Sequence, residues 1–454
     1  MNIKAIDPND ISHDTLANRL SREQLRGDAL YVAAWHRWML WDGTRWRSDD
    51  RLHHMTLVRD FLRGVANSEG DPKKSGELKS DKTRAAVERM VRSNTEIAAS
   101  ADQWDADTWL LGTPGGTVDL RTGELREAKR DDFITRQTAV TPAPAGTEAP
   151  IFQAFMRRIF RSKPEAIPFM QRAAGYALTG RTSEHKLLFA FGVGRNGKGV
   201  FFGTLDGIMG DYSTVAPSAT FMESGAEQHP ADMAMLSGAR LVTASELPPG
   251  KAWNESRIKT LTGGDRITAR GMRQDFFTYT PQFTLMIAGN HMPSFRGVDE
   301  AIRARVLLIP FAETIPADER DPDLTDKLRE EWPAILRWAI DGALEWQDVG
   351  LCPPESVTTA SAEYLESEDM LGEFLSDCVT GSPDGFVTNK ALYAEFRQWC
   401  DDRGMRSPWT QHALTRALVE RGYEQHRRTQ GRGLLGYAVQ SATARSYARS
   451  KYGE

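Results

Sequence analysis

Residues 187–205 read LLFAFGVGRNGKGVFFGTL. Leu187 to Phe191 form an apolar run of strand length, and Gly192-Val193-Gly194-Arg195-Asn196-Gly197-Lys198-Gly199 follows at once, with a helix expected from Val200. This is G-x-x-x-x-G-K between a strand and a helix, the pattern of a phosphate-binding loop. Glycines let successive backbone N–H groups turn toward one point and surround phosphate oxygens. The next helix presents its positive end to the same anion, and Lys198 adds a mobile cation. The stretch predicts a nucleotide loop made of Gly192, Gly194, Arg195, Asn196, Gly197, Lys198, Gly199 and Val200. A plain glycine-rich turn is the alternative, but it does not require the strand, the loop and the lysine in this order. Gly199 stands where a Ser or Thr would offer magnesium a hydroxyl. Thr204 is the next hydroxyl downstream, more than a turn into the helix.

Around this loop, apolar strand-like runs alternate with helical patterns, which predicts an α/β sheet. The other strand candidates are Arg240 to Ala244, Phe283 to Ala288 and Val306 to Ile309. The run ARLVTASE (239–246) ends in Glu246, at the strand end where such sheets collect ligands. A lone Glu after a strand is ordinarily a solvated loop residue. The loop upstream makes Glu246 the candidate for polarising the attacking water and for holding the metal; Ser245 replaces the usual second acid. FTLMIAGN (283–290) ends in Asn290, an amide placed to sense a phosphate or hold water, or simply a turn residue. Arg303 and Arg305 follow; an arginine here stabilises charge on a transferred phosphoryl group, or pairs with Asp299 or Glu300. An amphipathic helix is expected over 324–346.

The 454-residue chain is 40% hydrophobic and 26% charged, ordinary globular composition with length for about three domains. No apolar run approaches the ~20 residues of a membrane span, and the first ten residues lack a secretory apolar stretch. Cys352, Cys378 and Cys400 are scattered and odd in number, without zinc or disulfide spacing, which points to a reducing cytoplasm. The net charge of −5 hides a split. Residues 312–377 hold 18 acidic against 4 basic side chains, and residues 403–454 hold 10 basic against 3 acidic.

On the N-terminal side, YVAAWHRWMLWDGTRWR crowds four tryptophans around an Asp42-Gly43 hairpin turn. Helices are expected near 52–66 and 82–100 with a polar loop between them, and short strands within TPGGTVDLRTGEL (113–125). TPAPAGTEAP (141–150) reads as a linker. On the C-terminal side, strand, helix, helix and hairpin over 385–440 resemble a winged helix-turn-helix. Its turn is expected at Gly431-Arg432-Gly433, and phosphate contacts at Arg416, Arg427, Arg428 and Arg432. A winged helix used for protein contacts is the alternative.

Taken together, GVGRNGKGVF, RLVTASE, IKTLTGGDRITARGMRQDFF, AGNHMP and DEAIRARVLLIPF resemble, in order and spacing, superfamily 3 helicases. The resemblance is to the phage and poxvirus primase-helicase C-terminal family, without the primase catalytic domain. It implies an α/β fold: an AAA+ P-loop NTPase core with an N-terminal mixed α+β domain and a C-terminal winged-helix domain. It places the Walker A lysine at Lys198, the Walker B acid at Glu246, sensor 1 at Asn290 and the arginine finger at Arg305, with ATP and Mg2+ as cofactors. Residues 266–280 fall on the hairpin that holds single-stranded DNA in a ring's channel; Arg266, Arg270, Met272 and Arg273 with Phe276 and Phe277 supply cations and stacking surfaces. The D-x-D at Asp105–Asp107 has no companion acids and does not argue for primase chemistry.

The expected organisation is an N-terminal domain over 1–145, a motor over 151–350, an acidic helical connector over 351–385, a winged helix over 386–440 and a basic tail over 441–454. The expected function is that of a ring-forming, ATP-driven replicative DNA helicase of phage or mobile-element type. Its partners would be single-stranded and forked DNA, a homo-oligomeric, hexameric ring, and a separate primase or other replisome protein, with no membrane. The rivals are an origin-melting protein without processive unwinding and an AAA+ switch acting on proteins.

Overall fold

The computed structural model describes residues 10–192, 194–223, 230–245, 251–271, 275–295, 298–405, 409–420 and 423–439. At its centre lies a five-stranded sheet of β1 (Leu187–Phe191), β2 (Ser213–Val215), β3 (Leu241–Ala244), β4 (Thr284–Gly289) and β5 (Val306–Pro310). All neighbours are parallel, in the order β5-β1-β4-β3-β2. β3 and β4 are buried throughout, which is why they read as unbroken apolar runs. The edge strand β2 is short, polar and half-exposed, and so gave no pattern in the sequence.

Alternate residues of each strand serve opposite layers. Leu188, Ala190, Met286, Ala288, Leu307 and Ile309 face a cluster built with helix α1 (Lys198–Met209) and the helices Pro150–Ile159, Ala166–Leu178 and Trp332–Val349. Leu187, Phe189, Leu285, Ile287, Val306 and Leu308 face a second cluster with helix α2 (Glu255–Gly263), Trp253 and Tyr364. Helices 166–178 and 332–349 cross at Gly175 and Gly342. A Cβ on Gly175 would lie 2.1 Å from Ala343 N, so the backbones meet without side chains between them. The amphipathic pattern expected as one helix over 324–346 is two, Leu324–Glu330 and Trp332–Val349. Pro333, which lacks an N–H and presets a helical φ, starts the second.

The N-terminal region holds its own core around Leu16, Leu20, Trp38, Leu62 and Val87. Its sheet runs Trp46–Ser48, Arg37–Trp41, Ala29–Val32, Ala98–Ala99, and Trp41 pairs Trp46 across the Asp42-Gly43 turn. The polar stretch expected as a loop contains the helix Pro72–Leu78, because Asp71 accepts from Lys73 N at 2.9 Å and Pro72 opens the first turn. The helix expected over 82–100 runs Asp81–Val91. It ends there because the chain turns to bring Ile97 O onto Tyr31 N at 2.8 Å.

The expected border at 145–150 is not where the packing breaks. The meander Leu110–Thr113, Gly116–Asp119, Glu124–Arg126 puts Leu111, Val118 and Leu120 into the same cluster as α1. Buried guanidiniums fasten it: Arg240 donates to Leu110 O (2.8 Å) and Leu178 O (2.7 Å), and Arg337 to Gly123 O (2.8 Å). The 141–150 segment, expected as a linker, is packed. Ala143 N donates to Pro333 O at 2.9 Å, and the Glu331 carboxylate receives Ile151 N and Phe152 N, an anion at a helix N-terminus.

The acidic segment expected as a connector is also structural. Helix Glu355–Ser367 lies along β5, and Ser361 Oγ accepts from Leu308 N at 2.8 Å, satisfying an outward N–H of that edge strand. Tyr364 OH accepts from Trp253 Nε1 at 2.9 Å. The helix Met370–Cys378 instead joins a C-terminal core with Leu392, Phe396, Trp399 and Leu434. That region runs strand Val379–Thr388, helices Asn389–Asp402 and Gln411–Glu420, and strands Gln425–Arg428 and Gly431–Val439, with 431–439 central in its sheet. Arg428 pairs Gly431, so the hairpin turns at Thr429-Gln430, just ahead of the expected position. No helix among the described residues is long and apolar enough to cross a membrane.

Candidate nucleotide site and nucleic-acid surfaces

The C-terminal ends of β1, β3 and β4 open on one edge of the sheet, where the loop from Gly192 turns into α1. Gly194 and Gly197 hold φ of +97° and +84°, and Arg195 joins them in the left-handed region at +53°. Gly192 is packed so closely that a Cβ there would lie 2.1 Å from Asn196 Nδ2 and 2.4 Å from Phe311 O. Asn196 braces the loop by donating to Phe311 O at 3.0 Å, just past β5. Ile315 N adds a second tie, to Arg195 O at 2.9 Å.

Lys198 is 6% exposed. Its ammonium donates to Gly192 O (2.6 Å), Asn196 Oδ1 (3.2 Å) and Asn290 Oδ1 (3.0 Å). All three acceptors are neutral, and burial pushes the lysine down to about 8. A cation so placed, beside a turned glycine backbone and a helix N-terminus, is built to receive an anion. Asn290, at the end of β4, reaches the same point from a distant part of the chain.

Gly199 is exposed, and a Cβ there would meet nothing within 4 Å, so space does not exclude a hydroxyl at this position. Thr204 is buried at 3% exposure, about 9 Å along the helix axis from Lys198, and is no substitute. Glu246 lies outside the described residues, and so does Val193. Sequence reading passed over Asp206 on α1. Its buried carboxylate accepts from Thr243 Oγ1 at 2.9 Å and from Ser213 Oγ, tying α1 to β3 and β2, and burial raises its pKa.

The two arginines lie at the other end of β1. Arg305 O accepts from Leu187 N at 2.8 Å, Arg305 Nη1 donates to Ala301 O at 2.9 Å, and its buried Nε has no acceptor among the described residues. Arg303 pairs with Asp369 at 3.1 Å rather than with Asp299, which is taken by Lys259.

The hairpin predicted after α2 is present as Ile267–Arg270 against Phe276–Tyr279, with Arg270 opposite Phe276. Ile267 and Ala269 face inward; Arg266 and Arg270 are exposed, and the Arg270 guanidinium sits 5.2 Å from the Phe276 ring centre. Met272 and Arg273 lie outside the described residues. In the C-terminal region Arg427, Arg428 and Arg432 are exposed on the terminal hairpin, Arg428 stacking over Phe386 at 5.3 Å. The Arg416 side chain and residues 440–454 are outside the description.

Parts of the chain are similar to known proteins. Residues 17–161 match the family described as "D5 N terminal like", and residues 190–305 match a family of unknown function (DUF5906). The putative helicase 022R of Frog virus 3 is 25% identical over 269 residues, 54% of this chain and 27% of its own length. The putative helicase L207/L206 of Acanthamoeba polyphaga mimivirus is 24% identical over 320 residues, 65% of this chain and 33% of its own. The chain thus spans about a third or less of these relatives. Among solved structures, the apo NrS-1 C-terminal region (305–718) superposes with a TM-score of 0.50 at 9% identity, covering 94% of this chain and 100% of that one, a likeness of fold alone. The D5-like N-terminal region and the alignment with viral putative helicases support the resemblance to D5-type superfamily 3 helicase C-terminal regions.

Proposed function

We propose that this chain is the ATP-driven motor of a replicative DNA helicase, working as a homo-oligomeric ring that moves along single-stranded DNA. The observation that carries the reading is the separation of Lys198 and Arg305 at opposite ends of β1. A five-residue strand spans roughly 16 Å, so Arg305 cannot reach the phosphates beside its own Lys198. It can complete only a neighbour's site, with Lys198 and Asn290 from one subunit and Arg305 from the next. The strand order β5-β1-β4-β3-β2, with the phosphate loop after β1, between β5 and β4, supports an AAA+ assignment for the core.

In this reading Lys198 gives up its three neutral oxygens for phosphate, and Asn290, released from the lysine, orients the attacking water. Glu246 polarises that water and holds magnesium, which neutralises phosphate charge when bound. Arg305 stabilises the charge that develops on the transferred group. Hydrolysis moves the 266–280 hairpin, with Arg266, Arg270, Met272 and Arg273 on the strand.

The test is ATP hydrolysis and fork unwinding by the full chain, with Lys198→Ala, Arg305→Ala and a mixture of the two. Each variant alone is expected to be inactive. The mixture recovers part of the activity, because some interfaces join an intact Lys198 to an intact Arg305. An active Arg305→Ala protein sinks the shared site.

A second reading, ATP-dependent origin melting without processive unwinding, is favoured by a groove in the C-terminal region. There Lys390, His412, Thr415, Arg427 and Arg432 lie between the 411–420 helix and the terminal hairpin, an arrangement suited to duplex DNA in a winged-helix manner. Duplex melting with no strand displacement on long forks favours it. Failure to bind any DNA favours the AAA+ switch acting on proteins.

A further inference from the structure

Among the described residues three Trp, Tyr or Phe rings stand in solvent: Trp35 at 38%, Phe276 at 63% and Phe277 at 36%. All three line one groove of about 1180 Å³. One wall is the N-terminal sheet, with Arg37 and Arg47; the other is the motor hairpin, with Asp275, Phe276 and Phe277. Between them Arg45 pairs with Asp211, and Arg136 donates to Asp211 O (2.6 Å) and Ser237 O (3.0 Å). These bonds hold the N-terminal sheet in a fixed relation to the core that carries the hairpin.

The charges are arranged to receive an anion. Of the acids in the groove, Asp211 is matched by Arg45 and Asp50 lies 4.0 Å from Arg51, leaving Asp275. Arg37 and Arg47 are exposed, and no carboxylate among the described residues lies within 4 Å of either. Arg45 itself is committed, its guanidinium lying between Asp211 and Asp42, with Nε 3.8 Å from the Asp42 carboxylate. Exposed rings interleaved with uncommitted guanidiniums are the two components of sequence-tolerant single-strand binding, in which bases stack and phosphates pair. An acidic peptide would use the cations and leave the rings idle; a duplex keeps its base faces covered.

We propose that the N-terminal sheet is part of the DNA track: a single strand lies in this groove, stacking on Trp35 and on the hairpin rings, with its phosphates on Arg37 and Arg47. This rests on the proposed motor function for the hairpin wall, and it gives the N-terminal region a role that no motif assigns. The strand is then gripped at two places, one moved by the nucleotide cycle and one fixed to the body of the subunit.

The test is fluorescence anisotropy of labelled oligothymidylate with the full chain over a series of KCl concentrations. Trp35→Ala and the double variant R37A/R47A are each expected to weaken binding about tenfold. R37A/R47A also lowers the slope of log affinity against log salt by about 1 to 2, and Trp35→Phe, which keeps a stacking face, restores most of the loss. Arg37 and Arg47 are exposed, so R37A/R47A should match the wild-type melting temperature; Trp35 also packs on Trp104, at 5.9 Å between ring centres, so Trp35→Phe, which keeps that contact, is the folded control. If the wild-type chain binds no single strand, the motor reading fails with this one. If wild type binds and R270A weakens it, while Trp35→Ala and R37A/R47A keep wild-type affinity and salt slope, the groove proposal alone is overturned. Duplex DNA binding as tightly through Trp35 would also overturn it.

Discussion

Lys198 finds two of its three oxygen partners within six residues of itself and the third ninety-two residues away, on Asn290. The groove beside Trp35 draws on residues 34–50, 135–136, 211, 237 and 275–277. The first is a compact site gathered around one buried cation. The second is an open, wet surface where several exposed groups share the contact. Loss of one group should therefore be severe at the loop and graded in the groove.

The largest expected effect is at the loop. Lys198→Ala should lower ATP turnover by on the order of 10²–10³ or more, because a preorganised charge in a buried site has no replacement. Its melting temperature should not fall, since the change also removes a buried cation that no acid pairs among the described residues. A variant that hydrolyses ATP normally breaks the contrast at once.

A smaller effect follows from the lysine's environment. With its pKa lowered to about 8, Lys198 is cationic below that pH and loses its proton above it. Nucleotide affinity should therefore fall about tenfold between pH 7 and pH 9, and binding near pH 8.5 should take up protons. Calorimetry in two buffers of different ionisation enthalpy reads that uptake. Affinity flat to pH 9 would mean that the ammonium does not meet the phosphates. Single-strand binding in the groove, which does not use Lys198, should change little over the same interval.

Gly192→Ala should cost about 1–3 kcal/mol of stability, read as a fall in melting temperature, because its Cβ has no room beside Asn196 and Phe311 O. Gly199→Ser is the smallest change expected. Its Cβ meets nothing, so stability should move by less than about 0.5 kcal/mol. The useful readout is the magnesium concentration for half-maximal hydrolysis, which should fall if the added hydroxyl reaches the metal.

Much of the central sheet was legible before folding. β1, β3, β4 and β5 are buried in a parallel sheet, so each appears as a short apolar run between turn signals. The loop was legible for a related reason: turned glycines, a lysine and a helix start are adjacent in the chain. β2 was not, because a three-residue, half-exposed edge strand carries no pattern. The helix Pro72–Leu78 hid in a polar stretch that only the Asp71 cap and Pro72 betray. Trp35 was visible within a tryptophan-rich hairpin, but nothing local placed it opposite Phe276.

The sequence by itself determined the four buried strands, the glycine-lysine loop and the residue types at those strand ends, because those depend on neighbours a few positions apart. Tertiary structure decided what depends on distant partners. It set the strand order that brings Asn290 onto Lys198 and puts Arg305 at the far edge. It made interior anchors of Arg240 and Arg337, whose charges in a bare sequence suggest surface. It also turned the 141–150 and 355–367 segments from connectors into packed structure. A guanidinium or an extended loop can be buried only where carbonyls and apolar walls from elsewhere in the chain satisfy it, and those are supplied only by the folded state.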